Sequence, residues 1–195
     1  VGQGTGAFDA VLNLDGNVTT TGDLNFTDGN FTGPQLRLIS LNSAANTFDV
    51  AELTTTTVAP DIGGTGALIK NGKGALVLTE ASASTYSGDT KVNAGVLEVR
   101  GSITGTAKVE MATGGTLAGT GMISPASGGN VTLLAGGRIS PGLDFVPGTL
   151  SVSFSGGGAL QLAPGVAAAN SGLLLFDLDL PSSSDKVMLD GGPLA

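Results

Sequence analysis

Two aspartates, Asp177 and Asp179, are the side chains of this chain with the best spacing for chemistry. They alternate with apolar residues in the run Phe176-Asp177-Leu178-Asp179-Leu180. If that run is a strand, both carboxylates point to one side, where they could bind a cation or act as an acid–base pair on a polysaccharide. The same alternation arises when the apolar residues face a core and the aspartates face water. We favour this second interpretation and retain Asp177 and Asp179 only as weak metal or acid–base candidates.

Other catalytic and cofactor-binding patterns fail on residue type or spacing. The 195 residues include no cysteine and no histidine, which excludes disulfides, ordinary zinc sites and a Ser-His-Asp triad. Gly72-Lys73 resembles a phosphate loop, but Gly74 follows where Ser or Thr is required. Gly64-Thr65-Gly66 resembles a dinucleotide-binding turn, but Ile69 stands where a further glycine is needed. We therefore expect no catalytic residue and no cofactor, and interpret the glycines as structural turns.

Charge and hydropathy narrow the possible partners. The net charge is −8, whereas phosphate binding needs a basic surface, so we expect no nucleic-acid partner. No apolar run approaches the length of a membrane span, so we expect no direct insertion of this segment into a membrane. The chain opens on Val1 rather than methionine, and we interpret it as a fragment of a longer protein.

Two polar patterns each have a structural and a functional interpretation. Asn-x-Thr triplets begin at Asn17, Asn25, Asn30 and Asn130 and match the N-glycosylation acceptor, but such triplets arise by chance in a chain rich in Asn and Thr. The run 54–57 consists of threonines, which predicts a polar, β-branched edge or face of a sheet and alternatively an adhesive ridge.

A periodic ladder of aliphatic residues indicates the elements that must position these side chains. Its members each follow a glycine-bearing turn and are Leu76, Leu97, Leu117, Ile139 and Leu160. Subtracting their numbers gives steps of 21, 20, 22 and 21 residues, and a fixed period of this kind is typical of a solenoid. Between the turns, short apolar-x-apolar runs alternate as strands do, and strong helix formers are scarce.

One period shows how such a chain would fold. A strand over 109–111 is followed by a turn, an inward-facing segment at Leu117, a second turn, an inward-facing Ile123 and the next strand at Val131. Two or three short strands in about 20–22 residues suit one coil of a parallel β-helix, with neighbouring coils stacked at roughly 4.8 Å. The sequence therefore predicts an all-β parallel β-helix.

A meander of antiparallel hairpins is the competing fold. It would explain Asp15-Gly16 and Asp28-Gly29 as hairpin turns. It does not explain why similar sequence returns only after 20 to 22 residues, since the strands of a meander recur at about 8–12 residues.

A family resemblance lies in the stretches 64–78 and 86–99. They resemble the autotransporter-associated β-strand repeat found in passenger domains of bacterial autotransporters. The pattern of that repeat reads G-x-L-x-K-x-G-x-G-x-L-x-L and then Y-x-G-x-T-x-V-x-x-G-x-L-x-V, and every lettered position is matched here. The matching residues, which the resemblance implies are structural, are Gly66, Leu68, Lys70, Gly72, Gly74, Leu76, Leu78, Tyr86, Gly88, Thr90, Val92, Gly95, Leu97 and Val99.

The resemblance covers roughly residues 60 to 192 and implies a right-handed, single-stranded parallel β-helix. We expect one passenger segment over 1–195, made of N-terminal coils over 1–59, the core repeat over 60–100 and further coils over 101–195. From Leu160 the next glycine-preceded candidate is Leu194, 34 residues on, so we expect an extra strand or irregular coil near 165–185.

Four polar residues of the repeat carry separate expectations. Tyr86 and Thr90 are expected to pack inside a coil. Lys70 and Lys73 are expected to remain at turns or outside.

The resemblance also implies a location and a role. It implies a Gram-negative bacterium, secretion to the cell surface, and export through the outer membrane by a C-terminal translocator barrel, which would be the partner of this segment in the full-length chain. We expect a non-enzymatic stalk that supports export and folding and presents an adhesive or effector region. An adhesin that binds a host or surface glycan or protein, and a polysaccharide-acting β-helix enzyme, remain as alternatives.

Overall fold

A computed structural model of the chain describes residues 9–27, 35–142, 147–162, 173–174 and 186–192. Within these residues the regular secondary structure is β, in short strands separated by tight corners. In most strands a buried side chain alternates with a more exposed one, as in Val109-Glu110-Met111. Short alternating runs bounded by glycine favour such strands, because each strand needs only one apolar side to enter a core.

In chain order the strands are β1 (Asp9–Leu14), β2 (Val18–Thr20), β3 (Leu24–Phe26), β4 (Gln35–Leu41), β5 (Asn46–Val50), β6 (Thr55–Val58), β7 (Asp61–Gly64), β8 (Leu68–Asn71), β9 (Ala75–Leu78), β10 (Ala83–Ser84), β11 (Thr90–Val92), β12 (Gly95–Val99), β13 (Ser102–Thr104), β14 (Val109–Met111), β15 (Gly115–Gly119), β16 (Met122–Ser124), β17 (Val131–Leu133), β18 (Arg138–Pro141), β19 (Thr149–Ser153), β20 (Leu160–Leu162), β21 (Leu173–Leu174) and β22 (Lys186–Asp190).

These strands form three faces. Face 1 holds β1-β4-β7 and then β10-β13-β16-β19-β22, face 2 holds β2-β5-β8-β11-β14-β17-β20, and face 3 holds β3-β6-β9-β12-β15-β18-β21. The two sheets of face 1 adjoin at β7 and β10, where the Thr85 N–H donates to the Ile62 carbonyl at 2.7 Å. Every pairing between these strands is parallel. The chain thus visits the three faces in turn as a parallel β-helix, which confirms the predicted fold and excludes the antiparallel meander.

The predicted aliphatic ladder is a column inside face 3. Leu76, Leu97, Leu117 and Ile139 are Cα partners on successive strands, and all four side chains are fully buried. Parallel stacking places such partners one strand spacing apart, roughly 4.8 Å, so each side chain packs on the one below it. The column belongs to an apolar core cluster that extends from Ile39 to Leu160.

The fifth predicted member of the ladder, Leu160, does not belong to this column. Leu160 lies in β20 on face 2, where its Cα partner is Val131. On face 3 the partner of Ile139 is Leu174. The error has a physical reason: glycine followed by an apolar residue marks a corner of the coil, and Gly158 precedes a face 2 strand rather than a face 3 strand.

The predicted coil length is correct only in the middle of the chain. Between Thr56 and Ile139 the four steps on face 3 are 20, 21, 20 and 22 residues. The step from Leu24 to Thr56 is 32 residues, and the step from Ile139 to Leu174 is 35. Both long steps include residues outside the described ranges, and a connecting segment can differ in length from coil to coil because loop length is far less constrained than a paired strand. The stretches 163–172 and 175–185, with most of the expected irregular coil, and Leu194 lie outside the described residues.

The threonine run 54–57 is only partly a polar face. Thr55 and Thr57 are partly exposed, but Thr56 points inward and is fully buried. Its hydroxyl lies 3.4 Å from the hydroxyl of Thr20, so two buried threonines satisfy each other across the interior.

We predict that Leu117→Asp lowers the free energy of unfolding by about 3–5 kcal/mol, because it places an unpaired charge within the face 3 column. Thr116→Asp is the matched control, since the neighbouring side chain is partly exposed and should cost about 1 kcal/mol or less. Equilibrium denaturation of both variants provides the measurement. Equal losses in the two variants would contradict an inward-facing Leu117.

Candidate functional site

The repeat motif forms one coil and part of the next. Its aliphatic members lie on β8, β9, β11 and β12 and are all fully buried; they are Leu68, Leu76, Leu78, Val92, Leu97 and Val99. The alternating aliphatic residues of the motif therefore lie at inward positions of faces 2 and 3. These residues belong to the apolar core cluster, so the motif contributes its aliphatic side chains to the interior of the β-helix.

The motif glycines allow the backbones of neighbouring coils to approach. Gly95 has φ of 67°, and a Cβ there would lie 2.4 Å from the Gly74 carbonyl oxygen and 2.5 Å from that of Gly72. A Cβ on Gly88 would lie 2.3 Å from the Gly66 carbonyl oxygen. Because real side chains do not tolerate such contacts, only glycine permits these corners to stack directly.

Lys70 contradicts the expectation that it lies at a turn or outside. It is on β8 and fully buried, with Phe48 and Val92 as its partners on the neighbouring strands. Its ammonium donates hydrogen bonds to the carbonyls of Asn71 at 2.5 Å, Gly72 at 2.8 Å and Ala94 at 3.2 Å. Three acceptors match the three donors of an ammonium group, which makes the burial tolerable.

The electrostatics of Lys70 follow from this position. Burial lowers the pKa of Lys70 from its ordinary 10.5 to about 8, and the negative charge of Asp49 opposes part of that shift. At neutral pH the group still carries its proton in most molecules. The ammonium form, with all three hydrogen bonds, therefore links the end of β8 and Gly72 to the corner at 93–94 in the next coil.

Alternation could have revealed the position of Lys70. It stands two residues after the inward-facing Leu68, and side chains two apart in a strand share one side. The charge of lysine outweighed this signal, because the carbonyls that satisfy it cannot be read from the sequence. Lys73, by contrast, is exposed as expected and forms a surface ion pair with Glu52 at 3.3 Å.

Tyr86 and Thr90 begin a buried chain of hydroxyl groups. The Tyr86 hydroxyl lies 2.6 Å from that of Thr90, which lies 2.9 Å from the hydroxyl of Thr106 in the next coil. Thr106 in turn donates to the Gly88 carbonyl at 2.8 Å. Burial raises the pKa of Tyr86, with the Thr90 hydrogen bond acting in the opposite direction, so the phenol stays neutral. Thr106 was missed by sequence reasoning because it lies outside the motif.

The weak acid–base candidates Asp177 and Asp179 lie outside the described residues. Among the residues that the structure describes, no group of three Asp, Glu, His or Cys side chains could hold a metal ion. None of the described residues forms a helix with the length and apolar character needed to span a membrane.

We predict that the stability of the parent protein rises, relative to that of Lys70→Met, by about 1–3 kcal/mol between pH 8 and 10.5. In this range the unfolded chain binds more protons at Lys70 than the folded chain does, so raising the pH favours the folded state. Tyr86, whose pKa is raised by burial, is present in both proteins, so its contribution to the pH dependence of stability cancels in the difference.

Denaturant unfolding at a series of pH values gives the measurement, and Lys73→Met is the control. Because Lys73 is exposed, its replacement should change stability equally across the range. A difference between the parent and Lys70→Met that does not vary with pH would contradict a buried Lys70.

The comparison with protein families gives a match in the segment just described. Residues 68–99 match the family model described as Passenger-associated-transport-repeat. The matched segment extends from β8 through β12 and contains Lys70, Tyr86 and Gly95. The search among curated proteins found no match. The resemblance expected from the sequence is thereby confirmed for this segment, and the chain carries a passenger-associated transport repeat of the kind associated with autotransporters.

Proposed function

We propose that this chain is a non-enzymatic stalk within a secreted, surface-displayed autotransporter passenger. The observation that carries the proposal is the position of the repeat at 68–99 within an apolar core cluster that extends from Ile39 to Leu160. The repeat family implies secretion and a translocator partner in the full chain. We propose that residues 1–195 act as one β-helical segment and that the partner is a C-terminal barrel in the outer membrane.

The architecture supports a role as a rigid spacer. Each coil contacts mainly its two neighbours, and each adds roughly 4.8 Å along the axis. The interior is filled by stacked side chains, and the hydrogen bonds between coils lie nearly parallel to the axis. Bending such a rod would disrupt both the side-chain stacking and the hydrogen bonds between coils. The coils therefore keep the region that they present at a fixed distance from the cell surface.

The same architecture supports a role in export. A coil cannot bury its inward side chains alone, but it can do so on a preceding coil whose strand edges are already formed. Each fully buried leucine contributes about 1.5–3 kcal/mol, so every coil added outside the membrane makes return through a translocator less favourable. We propose that sequential coil folding drives outward movement, with adhesive or effector functions located elsewhere in the full-length protein.

We predict that Thr132→Pro lowers surface display severalfold when the chain is exported through a C-terminal translocator barrel. Thr132 is in β17, which pairs on both sides with β14 and β20, and proline there removes a ladder hydrogen bond. Thr132→Ala is the control, because it keeps the backbone N–H and loses only the hydroxyl that lies 3.3 Å from Gln161.

Surface display is measured by antibody labelling and protease access on intact cells, alongside denaturation of the purified chains. Unchanged display of a Thr132→Pro chain that is clearly destabilised in solution would contradict a role of folding in export. Saturable binding of the purified chain to host cells would contradict a purely structural stalk and favour the adhesin interpretation.

A further inference from the structure

The side chains that oxidants attack are few in this chain and fall into two environments. The 195 residues contain no cysteine, tryptophan or histidine, which leaves three methionines and one tyrosine. Met111 and Tyr86 are fully buried, whereas Met122 and Met188 are 41% and 57% exposed. The structure describes all four residues, so the whole oxidisable set divides into two groups that are shielded by the core and two that face water.

The two exposed methionines lie in one row on the outside of face 1. Ser102, Met122, Ser151 and Met188 are Cα partners on the successive strands β13, β16, β19 and β22. Next to Met122 on β16, Ile123 is fully buried, and β22 alternates exposed with partly buried side chains, so both thioethers point outward. Parallel pairing places the two methionines about two strand spacings apart, roughly 10 Å, with a serine between them.

The third methionine has the opposite environment. Met111 is fully buried in β14, where its Cα partners on face 2 are the buried Val92 and Leu133. Oxidation converts methionine into a polar sulfoxide, and a polar group surrounded by apolar side chains destabilises a core. On face 1 the same change is compatible with the surroundings, because the other two members of the exposed row are serines, Ser102 and Ser151.

We propose that Met122 and Met188 are the oxidation sites of this protein, and that they consume oxidant on the outside of face 1 while the β-helix keeps its fold. With hydrogen peroxide, each thioether sulfur forms a bond to one peroxide oxygen and loses two electrons to it. The methionine becomes a sulfoxide, the O–O bond breaks, and the other peroxide oxygen leaves as water. The inference goes beyond the proposed stalk function and does not depend on it.

Peroxide treatment of the folded 195-residue chain, followed by proteolysis and mass spectrometry, measures oxygen uptake at each methionine. We expect Met122 and Met188 to react within about tenfold of the rate for free methionine, because reactivity follows exposure. Met111 should react at least about 100-fold more slowly, since its sulfur becomes accessible only when the fold opens. In denaturant all three methionines should react at similar rates.

Two variants test whether the assignment is correct. Met122→Leu with Met188→Leu should take up no oxygen while folded, over the time in which both exposed methionines of the parent are oxidised. Met111→Leu should take up as much oxygen as the folded parent, and it should fold because leucine and methionine have similar volumes. The parent oxidised at Met122 and Met188 should retain the β-sheet circular dichroism and the cooperative unfolding of the untreated chain, and methionine sulfoxide reductases should restore both thioethers.

A folded parent in which Met122 or Met188 reacts as slowly as Met111 would overturn the assignment of the sites. Equal rates for all three methionines in the folded chain would also overturn it, because the core would then give no protection. Loss of the β-sheet signal after oxidation of Met122 and Met188 alone would overturn the proposal that the fold tolerates their oxidation.

Discussion

The whole structure depends on one constraint: each inward side chain must stack on its counterpart in the neighbouring coil at the spacing of parallel strands. That spacing, roughly 4.8 Å, forces Leu76, Leu97 and Leu117 into one column and requires corners whose backbones can approach as closely as the strands do. Gly95 satisfies the second requirement because a Cβ would collide with the carbonyls of the corner below. The aliphatic ladder and the glycine corners are therefore two consequences of the same geometry.

Much of this fold could be predicted from sequence because period and alternation are local properties. The strand, turn and inward residues of the coil that contains Leu117 follow directly from them. Leu160 could not be placed, since glycine-preceded aliphatic residues occur at more than one corner and only pairing reveals the face. The long step from Leu24 to Thr56 was not predicted, because a connecting segment can lengthen without disturbing the strands that it joins.

The candidate site was harder to predict than the fold. Lys70 was expected at a turn or outside, although alternation would place it inward. The structure follows alternation because three carbonyls, one of them in the next coil, accept hydrogen bonds from the ammonium. Satisfaction of a buried charge is a property of tertiary structure, and a single sequence does not display it. The uncharged hydroxyl groups of Tyr86 and Thr90 are likewise satisfied only in the folded structure, because Thr106 in the following coil completes their hydrogen-bonded chain. In this repeat, apolar columns supply most of the stability, and polar contacts link particular coils.

The stacking of successive coils is tested most directly by double electron–electron resonance, which measures the distance between spin labels placed at two solvent-facing positions on face 3. Asn25, Thr57, Val77, Glu98, Ala118 and Ser140 are in register on successive strands of that face. Spin labels on Asn25→Cys with Ala118→Cys span four coil steps, and those on Asn25→Cys with Ser140→Cys span five. The account predicts backbone separations of about 19 and 24 Å, an increase of one strand spacing. Separations that do not increase by that amount would contradict the parallel in-register stack.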